Sequence, residues 1–365
     1  MKTKSAPPPV SCVTQASSRK SELCVTAITL FLLASSAALH AQVYGITDLG
    51  TLPGTKKRVA YGLNDLGQAV GVSSNPTAAI ATLFSKGTTT NMNTLGADVS
   101  VATAISGSGQ AAGYNIFDSN PNPIFRAFLY SNGSMTDIQS DTLFPSGTIA
   151  YGINSAGEAV GEGMLTSWTF HPFLYSNGRM LDLGTLGGSQ AGASAINDSG
   201  EIVGSSLPAK GYGHAFLYSN GKMADLGVPS GAYSSDAKAI NGIGQIVGAL
   251  YFSSQPSHAA LYSNGVWTDL SAFPGATGTS ATGINTAGQI VGIAVFPITS
   301  YHPFKPGKHV GFIRRNGVLV DLNALIPSNS GFTITDAVGI NDSGEILCTA
   351  TNTSGSAHAV LLTPK

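Results

Sequence analysis

Charge is scarce in this chain, and so are cysteine and tryptophan. Only 10% of its 365 residues are charged, and the formal net charge is −1. Disordered chains carry high charge with low apolarity, so a content of 42% hydrophobic residues points to a folded protein. No basic surplus exists to neutralise phosphates, which argues against nucleic acid as a partner. The cysteines are Cys12, Cys24 and Cys348. The first two fall in a segment expected to be removed, so one thiol remains and no internal disulfide can form. Cys348 follows Ile346-Leu347, a setting for a buried, inert thiol and not for a nucleophile.

Long apolar runs are missing too, apart from Cys24 to Ala38 near the N-terminus. That run is shorter than the roughly 20 residues of a membrane span. Lys2, Lys4, Arg19 and Lys20 precede it, and small residues up to Ala41 follow. The pattern is that of a secretory signal peptide over 1–41. Residues 42–365 are then expected as one domain, extracellular or periplasmic and free of the membrane once the signal is cut. Catalytic signatures are lacking as well. There is no His-Glu-x-x-His, no Gly-x-Ser-x-Gly and no phosphate loop ending in Lys.

What the chain has in quantity is glycine, 45 residues, arranged in a repeat. One phrase is an aliphatic residue, Asn, two variable residues and Gly, followed by an apolar stretch. It stands at Ile153-Asn154, Ile196-Asn197, Ile240-Asn241, Ile284-Asn285 and Ile340-Asn341, with weaker copies at Leu63-Asn64 and Ile105-Ser106. These seven copies recur about every 46 residues. A second phrase runs Phe216-Leu217-Tyr218-Ser219-Asn220-Gly221, then Met223, Asp225 and Leu226. Asn-Gly between alternating apolar runs predicts a type I′ hairpin, whose central residues need φ > 0. It recurs at Asn132, Asn177, Asn264 and Asn316, with Lys86-Gly87 as the weak copy.

Each unit therefore reads as four strands, A to D, the arithmetic of a propeller blade. The last unit stops after its C strand, at His358 to Leu362. The chain meanwhile starts on an orphan, Ile46-Thr47-Asp48-Leu49-Gly50, that matches Met180 to Gly184 at the end of a D strand. The expected fold is an all-β, seven-bladed β-propeller closed by its N-terminal strand, which leaves no exposed end.

His214-Ala215-Phe216, with its Ile-Asn-Asp-Ser-Gly partner phrase, resembles the HAF-repeat family of probable extracellular bacterial proteins. The match runs from about residue 43 to 365. The resemblance implies export and a repeat architecture, and no known activity. The equivalent triplets depart to Ile80-Ala81-Thr82, Arg126-Ala127-Phe128, His171-Pro172-Phe173, His258-Ala259-Ala260, Val310-Gly311-Phe312 and His358-Ala359-Val360.

His171, His214, His258 and His358 share one repeat position, and His309 is one residue off it. A metal ring would need these residues to converge, whereas a whole blade separates equivalent positions. With the Asn-Gly turn fixed, Phe173 falls opposite Asp182, and His171 is its diagonal neighbour. The expected partners are Asp48, Asp137, Asp182, Asp225, Asp269 and Asp321, with Asn91 in the weak unit. Asn197-Asp198-Ser199-Gly200 and Asn341-Asp342-Ser343-Gly344 carry one carboxylate each, too few for calcium loops. Neither a metal nor a cofactor is expected.

Alternating strand direction puts the tight A–B and C–D turns on one face. The other face receives the longer loops, which hold Trp168, Phe170, Tyr212, Tyr251, Phe252 and Tyr301. Function tends to sit on variable loops held by a rigid scaffold, and exposed aromatics can stack on sugars or anchor a protein. These six are the candidate ligand-binding residues, and no catalytic residue is assigned. The reading is a secreted, monomeric, non-catalytic binding protein for an extracellular glycan or protein. The alternative is a secreted enzyme acting on a polysaccharide or similar polymer, with acids drawn from the same face.

Overall fold

The computed structural model describes residues 44–117, 123–166, 169–271, 273–297 and 307–365, with backbone alone at 300–301 and 304–305. By its contacts the chain divides into Met1–Gln42 and Val43–Lys365. The expected signal peptide and Trp168 lie outside the described residues. All that follows concerns the second unit.

The described structure is β-strand with one short 3₁₀ turn. A first strand, β1 (Tyr44–Asp48), precedes a series of four-stranded antiparallel meanders. The first meander is β2 (Lys57–Leu63), β3 (Ala69–Asn75), β4 (Ala78–Ser85) and β5 (Thr88–Asn91). The second is β6 (Val99–Ile105), β7 (Ala111–Phe117), β8 (Ile124–Ser131) and β9 (Ser134–Asp137). The third is β10 (Thr148–Ile153), β11 (Ala159–Thr166), β12 (Thr169–Ser176) and β13 (Arg179–Asp182). The fourth is β14 (Gly187–Ile196), β15 (Ile202–Pro208), β16 (His214–Ser219) and β17 (Lys222–Asp225). The fifth is β18 (Ala232–Ile240), β19 (Ile246–Phe252), β20 (His258–Ser263) and β21 (Val266–Asp269). The sixth is β22 (Gly278–Ile284) and β23 (Ile290–Val295), an excursion through β24 (Ser300–Tyr301) and β25 (Phe304–Lys305), then β26 (His309–Arg315) and β27 (Val318–Asp321). The last sheet holds β28 (Phe332–Ile340), β29 (Ile346–Asn352) and β30 (Ala357–Pro364), and its fourth strand is β1. β1 runs antiparallel to β30, with Ile46 opposite Leu362 and Asp48 opposite Val360.

The turn chemistry follows the sequence. Asn132, Asn177, Asn220, Asn264 and Asn316 have φ between 49° and 53°, each followed by a glycine of positive φ, and Lys86 adopts the same shape at 48°. The first strand of each meander carries a bulge, for example between Ala150 and Gly152. The backbone crowds there against the second strand. A Cβ on Gly161 would meet the Ala150 Cα at 2.8 Å, which is why a glycine stands at this point. In the last sheet Cys348 occupies that position, opposite Ala337. It is fully buried and unpaired, and burial pushes its thiol far above the ordinary range.

The cores lie between neighbouring sheets. Phe173 packs with Ala112 and Ala127 of the second meander and with Ala150 of its own. Phe128, Phe173, Phe216 and Phe312 are all fully buried, each from a third strand, so the motif's phenylalanine is a wedge between sheets; in the first meander Thr82 holds that position and Phe84, two residues on, is buried instead. Burial of such a side chain stabilises by roughly 1.5–3 kcal/mol. First and last sheets share a cluster as well, with Ala60, Ala69 and Phe84 against Leu347 and Ala359.

The recurrent Asn holds three things at once. Asn197 Oδ1 accepts from Glu201 N at 2.9 Å and closes the turn, while its Nδ2 donates to Glu201 Oε2 at 2.7 Å and to Asn241 O of the next unit at 3.1 Å. The same reach links Asn64 to Ser106, Asn154 to Asn197, Asn241 to Asn285, Asn285 to Asn341, and Asn341 to Asn64. The Glu or Gln four residues after each Asn accepts its amide. Both residue types offer that acceptor, so Gln68, Gln245 and Gln289 alternate freely with Glu158, Glu201 and Glu345 at this position.

Candidate functional site

The recurrent histidines come first, because their position in the sequence invites a catalytic or metal reading. His171, His214 and His258 turn Nδ1 toward Asp182, Asp225 and Asp269 at 2.8–2.9 Å. Each of these aspartates also accepts the backbone N–H two residues on, as at Gly184, Gly227 and Ser271. The pair ties the third strand to the end of the fourth. Where Arg126 replaces His, its Nε donates to Asp137 at 2.6 Å. In the sixth meander the expectation fails. His309 sits one residue early, so its side chain leaves on the opposite face of the strand. It meets Asp336 Oδ1 of the last sheet at 3.0 Å, and Asp321 instead caps the 3₁₀ turn through Asn323 N. His358 pairs with Asp48 across the chain ends at 2.7 Å. Arg58 Nη2 reaches both His358 and Asp48. Burial works to raise the Asp48 pKa, but the Gly50 N–H, His358 and Arg58 together hold that carboxyl below its ordinary value. Among the described residues no group of three or more His, Cys, Asp or Glu could hold a metal ion.

A channel-like cavity of about 250 Å³ is lined by one stretch from every first strand. One layer is aliphatic, from Leu63, Ile105, Ile153, Ile196, Ile284 and Ile340. The layer above it is small, and there neighbouring strands nearly touch. A Cβ on Gly62 would meet the Ala104 Cα at 2.9 Å. The next layer carries the chemistry: Tyr61, Thr103, Tyr151, Ser194, Lys238, Thr282 and Val338. The tight A–B turns, with the Asn network, line a separate cavity at the other end.

Toward the longer loops the lining becomes aromatic and acidic. Tyr61 and Tyr151 are 45% and 36% exposed. Tyr151 donates its hydroxyl to Glu162 Oε1 at 2.9 Å. Burial pushes the Glu162 carboxyl up against the opposing Tyr151 hydrogen bond, and burial with the nearby Glu162 charge pushes Tyr151 up strongly. Tyr114 is raised by burial and by the nearby Tyr61 phenol, and its ring lies 6.1 Å from Phe125.

Beside Glu162 a cavity of about 350 Å³ opens between the third and fourth meanders. It exists because the fourth inner strand is small here. Gly192 stands where the other inner strands carry Val59, Val101, Ile149, Asp236, Ser280 and Asp336. Phe170 and Gln190 pair across the junction and form part of its lining, with Ser194 and Ser205. At its edge Gly213 accepts from Ser234 and Ser235 of the fifth meander. Next to Gly213, Tyr212 is 62% exposed and packs edge-on against Tyr233 at 4.6 Å.

The sequence candidates thus separate. Phe170, Tyr251 and Phe252 lie in β12 and β19 and not in loops, because the strands run on past the repeat phrases; Phe170 lines the cavity and Tyr212 lies at its border. Tyr251 is tethered through its hydroxyl to Asp236 Oδ2 at 2.8 Å, and Phe252 packs against the His258 ring at 4.9 Å. Tyr301 is described by its backbone alone, opposite Phe304. The sequence reading missed Tyr61, Tyr114, Tyr151 and Glu162. They stand within strands, at positions where the repeat tolerates anything, and only the departures from small or aliphatic residues at those positions marked them.

No protein-family model and no curated protein matches the sequence. Solved structures do match. The β-propeller domain of the Trilobed protease from Pyrococcus furiosus, reported with an open velcro topology, is similar at a TM-score of 0.51 and 10% identity, over 85% of this chain and 98% of that one. TolB from Acinetobacter baumannii is similar at 0.43 and 11%, over 86% of this chain and 66% of that chain. A gluconolactonase from Xanthomonas campestris is similar at 0.43 and 9%, over 90% and 93%. At such identities the first of these bears on fold alone, and the chain is all-β with a propeller-like architecture. No described helix is long and apolar enough to cross a membrane.

Proposed function

We propose that this chain is an exported, non-catalytic binding protein of the HAF-repeat kind, a seven-bladed β-propeller closed by β1, with its ligand on the longer-loop face. Three observations support the ring: β1 completes the last sheet, first and last sheets share a core cluster, and Asn341 bonds to Asn64. Export rests on the N-terminal sequence pattern described above.

The observation that carries the binding role is the unequal chemistry of the two ends. One end has hydrogen-bonded turns satisfied among themselves. The other carries Tyr61 and Tyr151 on the lining of one cavity and Tyr151 and Phe170 on that of a second, with the Tyr212–Tyr233 pair at the edge of the second. Partly exposed aromatic rings offer an apolar body and a polar tip, which suits a carbohydrate or a protein surface. The enzyme alternative draws support from Glu162, a carboxyl raised by burial beside a cavity. Glycoside hydrolysis ordinarily needs two carboxylates across the scissile bond, and Glu162 is the one acid among the described residues lining this cavity. Residues 42–365 on a broad glycan array, with soluble products followed in parallel, test the reading. Binding without product release is expected. Release of shorter sugars sinks the non-catalytic reading, and silence across the array sinks its glycan form.

A further inference from the structure

We infer that the cavity between the third and fourth meanders is a subsite for a single ring of a neutral sugar chain, with Phe170 as its apolar wall and Glu162 as its principal polar contact. The inference rests on the binding role proposed above and narrows it to one place and one ligand class.

The lining combines groups that suit a polyol. Glu162 spends Oε1 on Tyr151, and among the described residues Oε2 has no hydrogen-bond partner. That oxygen stands at the open side left by Gly192, where an added Cβ would lie 3.2 Å away. Gln190, Ser194 and Ser205 contribute an amide and two hydroxyls whose side chains bond to no other described residue. Sugar hydroxyls donate and accept at once, so they can satisfy a carboxyl, an amide and hydroxyls together. Phe170 supplies the apolar surface against which a ring's C–H face packs. The volume of about 350 Å³ is at the small end of ligand sites, which fits one ring and not a long segment.

Charge selects the class. Among the described residues no Lys or Arg lines the cavity, so a uronate or phosphosugar would bury its anion beside Glu162 unpaired, at high cost. The cavity's single acid among the described residues already holds the Tyr151 hydroxyl on one oxygen, a lining suited to hydroxyls.

The repeat itself provides the test. Val is native at the position of Gly192 in the first two meanders, as Val59 and Val101, so Gly192→Val should fill the cavity with a residue the fold already accepts. Residues 42–365 and the variants Gly192→Val, Phe170→Ala and Glu162→Gln would be titrated calorimetrically with cellotetraose, maltotetraose, xylotetraose, mannotetraose and tetragalacturonate. Circular dichroism would confirm folding of each variant. At least one neutral tetrasaccharide is expected to bind, with affinity falling tenfold or more in Gly192→Val and Phe170→Ala, less in Glu162→Gln, and no binding of tetragalacturonate. Undiminished neutral-sugar binding by folded Gly192→Val overturns the subsite and leaves the broader binding role standing. Preferred binding of the uronate overturns the ligand class. If none of the five binds, the subsite falls, and if the glycan array is silent as well, the glycan form of the binding role falls with it.

Discussion

Asn341 donates its side-chain amide to the backbone carbonyl of Asn64, 277 residues away in sequence, at 3.0 Å. The same bond joins most pairs of consecutive units, so the two ends of the described chain are tied by the device that ties its middle. One link is different. Ser106 stands where the others have Asn, and its hydroxyl turns to Ser108. The contact to the next turn is made instead by Ser108 Oγ to Ser155 O at 3.2 Å.

Ser106→Asn should therefore supply the missing amide to Asn154 O. A typical net hydrogen bond contributes about 0.5–1.5 kcal/mol. The variant is expected to melt a few degrees higher, whereas Asn285→Ala should melt lower because it strands the Gln289 N–H. Differential scanning calorimetry of both decides; a neutral or destabilising Ser106→Asn would show that this link is already satisfied.

Deleting Val43 to Gly50 removes β1, exposes the edge of β30 and empties the place of Tyr44, which is 1% exposed. A loss of several kcal/mol is expected, since truncating one large buried aromatic alone costs about 3–5 kcal/mol. Urea denaturation reads this directly. A truncated protein with an unchanged midpoint would refute closure by β1.

Asp48 gives the stability a pH dependence of known sign. Its folded pKa lies below the ordinary value of 3.8. The unfolded chain therefore binds the proton more readily, and the contribution of Asp48 is complete above about pH 4–5. As pH falls through the folded value that contribution disappears. Asp48→Asn should lower the melting temperature at pH 7 and narrow its gap to the parent protein near pH 2–3. Parallel melting curves that keep the same gap at both pH values would contradict it.

Glu162 works in the other direction. Burial raises its folded pKa above the ordinary 4.5, so its ionisation in the folded state costs stability as pH rises through that value. Glu162→Gln keeps an acceptor for Tyr151 and should equal or exceed the parent in stability at pH 7, with the difference gone below about pH 4. A clear drop at pH 7 would mean that the ionised carboxylate is the stabilising form.

Cys348 should be silent to thiol reagents. It is 1% exposed, and burial raises its pKa, so little thiolate exists to react. Titration with a chromogenic disulfide at pH 8 is expected to count no thiol in folded residues 42–365 and one after denaturation. Rapid labelling of the folded protein would remove the inert reading.

Local chemistry is what the sequence determined. Asn-Gly turns demand positive φ at two successive residues, and alternation of apolar residues demands short strands, so the hairpins and their order were legible. So was the pairing of His171 with Asp182, because a fixed turn fixes the register on both sides. The His309 exception was half legible: a shift of one residue must reverse a strand side chain, but nothing local says that Asp336 waits on the next sheet. The site was least legible. Phe170 and Tyr212 stood out as aromatics assigned to loops, although Phe170 lies in β12, whereas Tyr61, Tyr151 and Glu162 sit inside strands separated by as much as 101 residues. Their approach depends on how the inner strands surround one space, and the cavity depends on what Gly192 lacks. Neither is a property of a neighbouring sequence position. Both come from packing between sheets, where the absence of one side chain is felt only by the residues of another unit.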